Sequence, residues 1–188
     1  MATRPPSGPD WIHEIKHDGF RIVVRREGSR VRLFTRGGHD WADRFPAIVE
    51  AASRLPTPSF LIDGEAVVCR EDGISDFDAL RSRRRDYEVT LIAFDLIEWQ
   101  GDDLRDHQLI DRKNRIAKML ARGGGAIPTN IWRTMVRQCS SMRAGWALKA
   151  SFRNGLDSPY RSGPSKVWLK SKNPQCEAVR REREEDWN

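Results

Sequence analysis

A chain of 188 residues can bury a real core and suits one domain, or one domain with a partial second. With 38% hydrophobic and 32% charged residues it lacks the compositional bias of a disordered chain, and no apolar run approaches membrane-spanning length. The net charge of +6, mostly from arginine, favours a polyanionic partner. Cys69, Cys139 and Cys176 lie far apart with no C-x-x-C pair, as reduced intracellular thiols do. The first residues, Met1 to Pro6, lack the apolar core of a signal peptide, so a cytoplasmic protein is expected.

A Pro/Gly/Ser lead-in from Arg4 to Asp10 precedes a first strand that starts at Trp11-Ile12. There follows the stretch His13-Glu14-Ile15-Lys16-His17-Asp18-Gly19-Phe20-Arg21, with Lys16 between apolar Ile15 and a turn at Asp18-Gly19. An ammonium becomes a nucleophile only when burial or a neighbouring cation lowers its pKa. A lysine held by a turn just after an apolar strand is suitably placed for attack, and Arg21 offers a rigid fork for a phosphate. Taken alone, the tetrapeptide K-x-D-G also fits a solvated hairpin.

Ile22–Arg26 and Val31–Thr35 read as strands joined by a turn at Glu27-Gly28-Ser29. Arg36-Gly37-Gly38 then leaves the sheet, with glycines that let backbone approach a ligand or simply end the strand. Apolar residues at helical spacing from Trp41 to Leu55 predict a helix that stops at Pro56 and Pro58. Phe60 to Val68 is a hydrophobic strand interrupted by Asp63-Gly64-Glu65. Carboxylates in an apolar strand are costly unless they meet a metal, sugar hydroxyls or a cation.

Ser75 to Arg85 reads as a short helix ending in Arg83-Arg84-Arg85, a solvated face that could also touch phosphates. Val89 to Ile97 reads as a buried central strand, and Leu109 to Leu120 as an amphipathic helix closed by Gly123-Gly124-Gly125. From Ala126 to Leu156 neither period is kept. A turn-rich basic loop, Asp157 to Gly163, leads into Val167 to Lys172, a strand with Lys170 and Lys172 at period two. Residues 177–188 form a charged tail.

Together these stretches resemble the adenylating domain of ATP-dependent DNA ligases, closest to the ligase domain of bacterial ligase D. The resemblance rests on five motifs in order: K-x-D-G-x-R at Lys16 to Arg21, T-R-x-G at Thr35 to Gly38, D-G-E at Asp63 to Glu65, F-D-L at Phe94 to Leu96, and W-L-K-x-K at Trp168 to Lys172. It implies an α+β nucleotidyltransferase (ATP-grasp-like) domain of antiparallel sheets flanked by helices, with ATP in the cleft. By that resemblance Lys16 attacks the ATP α-phosphate and forms a lysyl-adenylate. Glu14 would read the adenine amino group and Phe94 would stack on the base. Arg21 and Glu65 would hold the ribose and order the site, and Arg36 would grip the 5′-phosphate of a DNA nick. Lys170 and Lys172 would neutralise the α-phosphate, and Glu65 would help hold Mg2+ or Mn2+. The expected partner is nicked double-stranded DNA in repair and recombination at the nucleoid, with Ku-like repair proteins and without a membrane.

Two departures from the family pattern stand out. The sequence ends at Asn188 without the OB-fold domain that usually follows, which should weaken adenylation and sealing. The family's E-G-x-V-x-K strand is also missing, and its nearest counterpart, Ala144 to Lys149, lacks the acid. Codons permitted for Leu148 to Gly155, TTG AAG GCA TCG TTT CGA AAC GGC, read E-G-I-V-S-K-R once the first two nucleotides are dropped. Thr129 to Gly155 is therefore expected to be out-of-frame translation, rich in Arg133, Arg137, Arg143, Lys149 and Arg153 and free of acids. Such a segment should stay exposed and form no strand in the cleft. A non-catalytic remnant that at most binds nucleotide or nucleic acid is the alternative reading. An RNA ligase or capping-type nucleotidyltransferase would share the Lys16 chemistry, but D-S-P-Y-R-S-G and W-L-K-x-K favour ligase D.

Overall fold

The structure is a computed structural model that describes residues 11–15, 17–71, 73–123, 150–163 and 168–172. Lys16, the stretch 129–149 with its candidate motif at Ala144 to Lys149, Cys139, Cys176 and the charged tail lie outside the described residues, as do the side chains of Lys170 and Lys172. The elements are β1 (Trp11–Ile15), β2 (Phe20–Glu27), β3 (Arg30–Thr35), α1 (Pro46–Ser53), β4 (Ser59–Val67), α2 (Phe77–Arg81), β5 (Thr90–Trp99), β6 (Asp102–Asp103), α3 (Leu109–Arg122), β7 (Ala150–Gly155) and β8 (Trp168–Lys172). They make two antiparallel sheets, one of five strands ordered β3-β2-β4-β5-β6 and one of three ordered β1-β7-β8. This is the expected α+β arrangement.

Strand periodicity explains the larger sheet. In β2, Ile22 and Val24 are fully buried while Arg21 and Arg25 are exposed. In β5, Leu91–Ala93 and Leu96–Ile97 are buried on both sides, as a strand covered on both faces should be. Each such aliphatic side chain contributes about 1.5–3 kcal/mol by leaving water. Two glycines permit close strand approach. A Cβ on Gly19 would sit 2.2 Å from the Ala66 carbonyl oxygen, and one on Gly64 would sit 2.8 Å from that of Ile92.

Two helices are shorter than their periodicity predicts. The helix expected from Trp41 begins only at Pro46, where proline supplies no N–H and pushes Phe45 out of the helical region, to φ −121° and ψ 63°. The turn before it is held by Asp40, whose Oδ1 accepts from the Leu33 and Ala42 amides at 3.1 Å. The helix expected over Ser75 to Arg85 is confined to α2. Asp76 caps it by accepting from the Ala79 amide at 3.1 Å, and Arg83 ends the turn behind it at φ 59°.

The largest correction concerns the end of the stretch Thr129 to Gly155, which was expected to be out of frame. No strand was expected there, yet β7 is the central strand of the smaller sheet, paired with β1 on one side and β8 on the other. Ladder hydrogen bonds are made by backbone, so a side-chain sequence without apolar alternation can still fill a gap between two strands. Among the described residues no helix is long and apolar enough to cross a membrane.

Candidate active site

The first focus is Asp63, fully buried in the middle of β4. Register places it opposite Val23, and Glu65 opposite Arg21, so Arg21 and Asp63 are diagonal neighbours across β2 and β4. The Arg21 guanidinium donates to both oxygens of Asp63, with Nε–Oδ1 at 3.0 Å and a second short bond from Nη2 to Oδ2. Tyr160 Oη donates to the same Oδ2 at 2.7 Å. Burial works against the charge of Arg21, but the hydrogen bond and charge of Asp63 outweigh it and hold the guanidinium above its ordinary pKa. Burial, with the Asp63 carboxylate next, pushes the Tyr160 phenol up to about 12. Tyr160 is thus a permanent donor at neutral pH.

The same guanidinium lies 5.3 Å from the centroid of the Phe94 ring. Arg21, Glu65 and Phe94 are therefore brought to one place by three adjacent strands, β2, β4 and β5. The Arg21 fork is engaged by Asp63 and its guanidinium faces Phe94, so it links β2 to β4 and to the Phe94 ring.

The second focus is Glu14 on β1, buried at 4% exposure. Its Oε1 accepts a short hydrogen bond from Nζ of Lys113, itself 2% exposed, on α3. Glu14 shares a register row with Phe152 of β7 and Lys170 of β8. Lys172 lies two residues further along β8, opposite Ala150. The three-stranded sheet thus brings Glu14 and the two lysine positions to neighbouring rows.

Arg112, next to Lys113, is fully buried and reaches the other sheet. It donates to Asp95 through Nε at 2.8 Å and Nη2 at 2.9 Å, and to the Ser158 carbonyl through Nη1 at 3.1 Å. Asp95 also accepts from the Leu96 amide at 2.8 Å, so both of its oxygens are satisfied. Buried arginine needs this complete pairing, since an uncompensated charge would cost several kcal/mol, about 3–5 on breaking such a pair.

Arg36 is exposed just beyond the end of β3. Because Thr35 pairs with Ile22, Arg36 leaves the sheet at the end where β2 begins. At the same end His17, the residue after Lys16, has Nδ1 3.3 Å from Ser75 Oγ. No cluster of three metal-ligating side chains exists among the described residues. Asp63 is held by Arg21 and Tyr160, which leaves Glu65 as the acid expected near a metal. A single carboxylate fits Mg2+, which commonly takes one or two carboxylates and completes its shell with substrate phosphates and water.

The sequence gives no site role to Lys113, Arg112, Tyr160 or Asp95, whereas the cation that Asp63 was expected to need is supplied by Arg21. A signal for the first two exists. Leu109, Arg112, Lys113, Ile116, Met119 and Leu120 form the buried stripe of α3, so two cations occupy core positions of an amphipathic helix. Cations at such positions require buried anions nearby.

A family model described as ATP-dependent DNA ligase domain matches residues 3–172. The multifunctional non-homologous end joining protein LigD of Pseudomonas aeruginosa is 35% identical over 178 residues, which is 92% of this chain and 21% of that protein. A probable DNA ligase of Streptomyces coelicolor is 30% identical over 180 residues, 85% of this chain and 34% of that protein. Among solved structures, a mycobacterial DNA ligase D complexed with ATP and MES superposes with a TM-score of 0.72 at 25% identity, covering 87% of this chain and 54% of that one. The ligase domain of Mycobacterium tuberculosis LigD gives a TM-score of 0.71 at 26% identity, covering 86% and 53%. The chain thus spans 21% and 34% of these two curated relatives and about half of each solved ligase.

Proposed function

Because this chain belongs to the ATP-dependent DNA ligase domain family, we propose that it forms a lysyl-AMP intermediate on Lys16 and passes AMP to the 5′-phosphate of nicked DNA. The observation that carries the reading is the convergence of Arg21, Glu65 and Phe94 on adjacent strands, next to the turn that follows Lys16. Lys16 Nζ, deprotonated, attacks the ATP α-phosphorus; a P–N bond forms, the bond to the β-phosphate oxygen breaks, and pyrophosphate leaves. The 5′-phosphate oxygen of the nick then displaces Lys16 from AMP. The neighbouring 3′-hydroxyl attacks that phosphate and releases AMP.

The residues divide the work by chemistry. Phe94, with the Arg21 guanidinium fixing its ring, offers a face to the adenine. Glu14 accepts from the adenine amino group, held in place by Lys113. Arg21 and Glu65 bound the ribose, and Lys170 with Lys172 offsets the charge that develops at the α-phosphate. Arg36, exposed at the strand end, holds the 5′-phosphate. A bound Mg2+ or Mn2+, with Glu65 as its protein ligand, would neutralise phosphate charge.

Repair by end joining, with Ku-like partners, is the cellular setting suggested by the LigD relatives. The frame-shifted origin of Thr129 to Gly155 belongs to the same proposal. Its support is that the shifted E-G-I-V-S-K-R overlaps β7, the strand between β1 and β8. Incubation with labelled ATP and metal tests the chemistry. Lys16→Ala and Lys16→Arg should both abolish AMP transfer to protein, since guanidinium remains protonated and cannot attack. Adduct at the parent level in either variant would remove Lys16 from this role. No adduct in the parent at any metal concentration would favour the non-catalytic remnant, a reading that the missing acid of E-G-x-V-x-K keeps open.

A further inference from the structure

The last residue of α2, Arg81, and the turn behind it with Arg83 and Arg84 present three exposed arginines. Among the described residues none of the three has an acidic group within ion-pair distance, whereas their neighbours are engaged: Arg85 pairs with Glu88, and Arg44 with Asp86. The backbone beneath them is well anchored. Arg44 donates to the Leu80 carbonyl at 3.2 Å while stacked 4.4 Å from the Trp41 ring and 5.1 Å from that of Phe20, and Arg85 donates to the Cys69 carbonyl at 3.3 Å. Three like charges are therefore carried within four residues of anchored backbone, an arrangement that an anion would relieve. Tyr87, 75% exposed, follows three residues later and is a large aromatic without cover. Arg83 adopts a left-handed backbone at φ 59°, where glycine would be unstrained.

The loop also has a defined place. Ser75 touches His17, and the Phe77 ring lies 5.4 Å from that of Phe20, so α2 starts beside the turn after Lys16. At roughly 1.5 Å per residue, the five-residue helix α2 carries the arginines only about 7–8 Å further along. Arg36 leaves the sheet at the same end.

We propose that Arg81, Arg83, Arg84 and Tyr87 form a docking surface for the sugar-phosphate backbone of duplex DNA, separate from the Arg36 contact at the nick. This rests on the reading that the chain acts on nicked DNA. Guanidinium forks and a tyrosine hydroxyl both donate to phosphate oxygens and carry no base readout. The surface positions duplex beside the turn that follows Lys16, without touching the reacting groups.

The test compares the intact chain with the triple variant R81Q/R83Q/R84Q and with Arg83→Gly, binding nicked duplexes of unrelated sequence between about 50 and 200 mM salt. Three lost phosphate contacts should lower the slope of log K against log salt by about 2–3, equally for every sequence. Arg83→Gly should lower it by about 1 while melting no lower than the parent. Lys16 adenylation, measured on the same samples, should be unchanged in both variants. An unchanged slope would overturn the proposal, whether or not the chain adenylates itself. So would the absence of binding by the parent at the lowest salt, or binding of polyglutamate that the triple variant loses while its DNA slope stays the same. A reduced slope in a chain that never adenylates would leave the surface standing and remove the Lys16 chemistry instead.

Discussion

Asp63 accepts three hydrogen bonds from two partners: both arms of Arg21 and the Tyr160 hydroxyl end on its two oxygens. Tyr160 is the partner whose contribution can be isolated by pH. Its folded-state pKa of about 12 exceeds the ordinary 10, so the unfolded chain loses its proton first as pH rises. The stabilisation is complete below about pH 10 and disappears as pH climbs towards 12. With the phenol only half-buried, about 1–2 kcal/mol is at stake after solvent screening. Tyr160→Phe should therefore melt lower than the parent at pH 8 and lose less stability between pH 10 and 12, as roughly set by the phenol's own titration. Parallel melting curves across that range would show that the hydrogen bond to Asp63 contributes nothing.

At the scale of elements, α3 is the part that ties the two sheets together. Arg112 bonds to β5 in one sheet, and Lys113 bonds to β1 in the other. Breaking either pair by removing one partner should cost about 3–5 kcal/mol, because a buried charge loses its counterpart. Lys113→Met is expected to destabilise by that amount in urea unfolding. The double variant Glu14→Gln with Lys113→Met should cost clearly less than the sum of its two single changes, since the first loss already removes the interaction. Additive losses would mean that the two side chains act independently. The same helix marks the boundary of what the sequence discloses. The β2–β3 hairpin was legible because alternation and Gly28 are local signals. Glu14 and Lys113 are 99 positions apart, and only the folded chain brings them together. Local rules also failed where one residue overrode a period, as Pro46 does in starting α1 late.

For the whole molecule, the site was legible as motifs before it was visible as geometry. Arg21, Glu65 and Phe94 were read from separate stretches, and the register of β2, β4 and β5 supplies the reason they meet. That Asp63 needs a partner was legible from its place in an apolar strand, but not that Arg21 and Tyr160 would both supply it, which no spacing reveals. The smaller sheet poses the remaining test of the chain's history. β7 keeps its place between β1 and β8 with the residues Ala-Ser-Phe-Arg-Asn-Gly, a sequence with poor strand propensity at Asn and Gly. If Thr129 to Gly155 is out of frame, as proposed, replacing it by its shifted reading, ending E-G-I-V-S-K-R, should raise both the melting temperature and the rate of Lys16 adenylation. A restored chain that melts no higher and reacts no faster would make the present residues a genuine, divergent motif.

The central claim is covalent chemistry at Lys16, and peptide mapping of the protein after reaction with ATP and Mg2+ tests it most directly. The account predicts one AMP, bound through an acid-labile phosphoramidate, on the peptide containing Lys16, and its release on addition of pyrophosphate. AMP found on any other residue, or an adduct stable to acid and pyrophosphate, would contradict it.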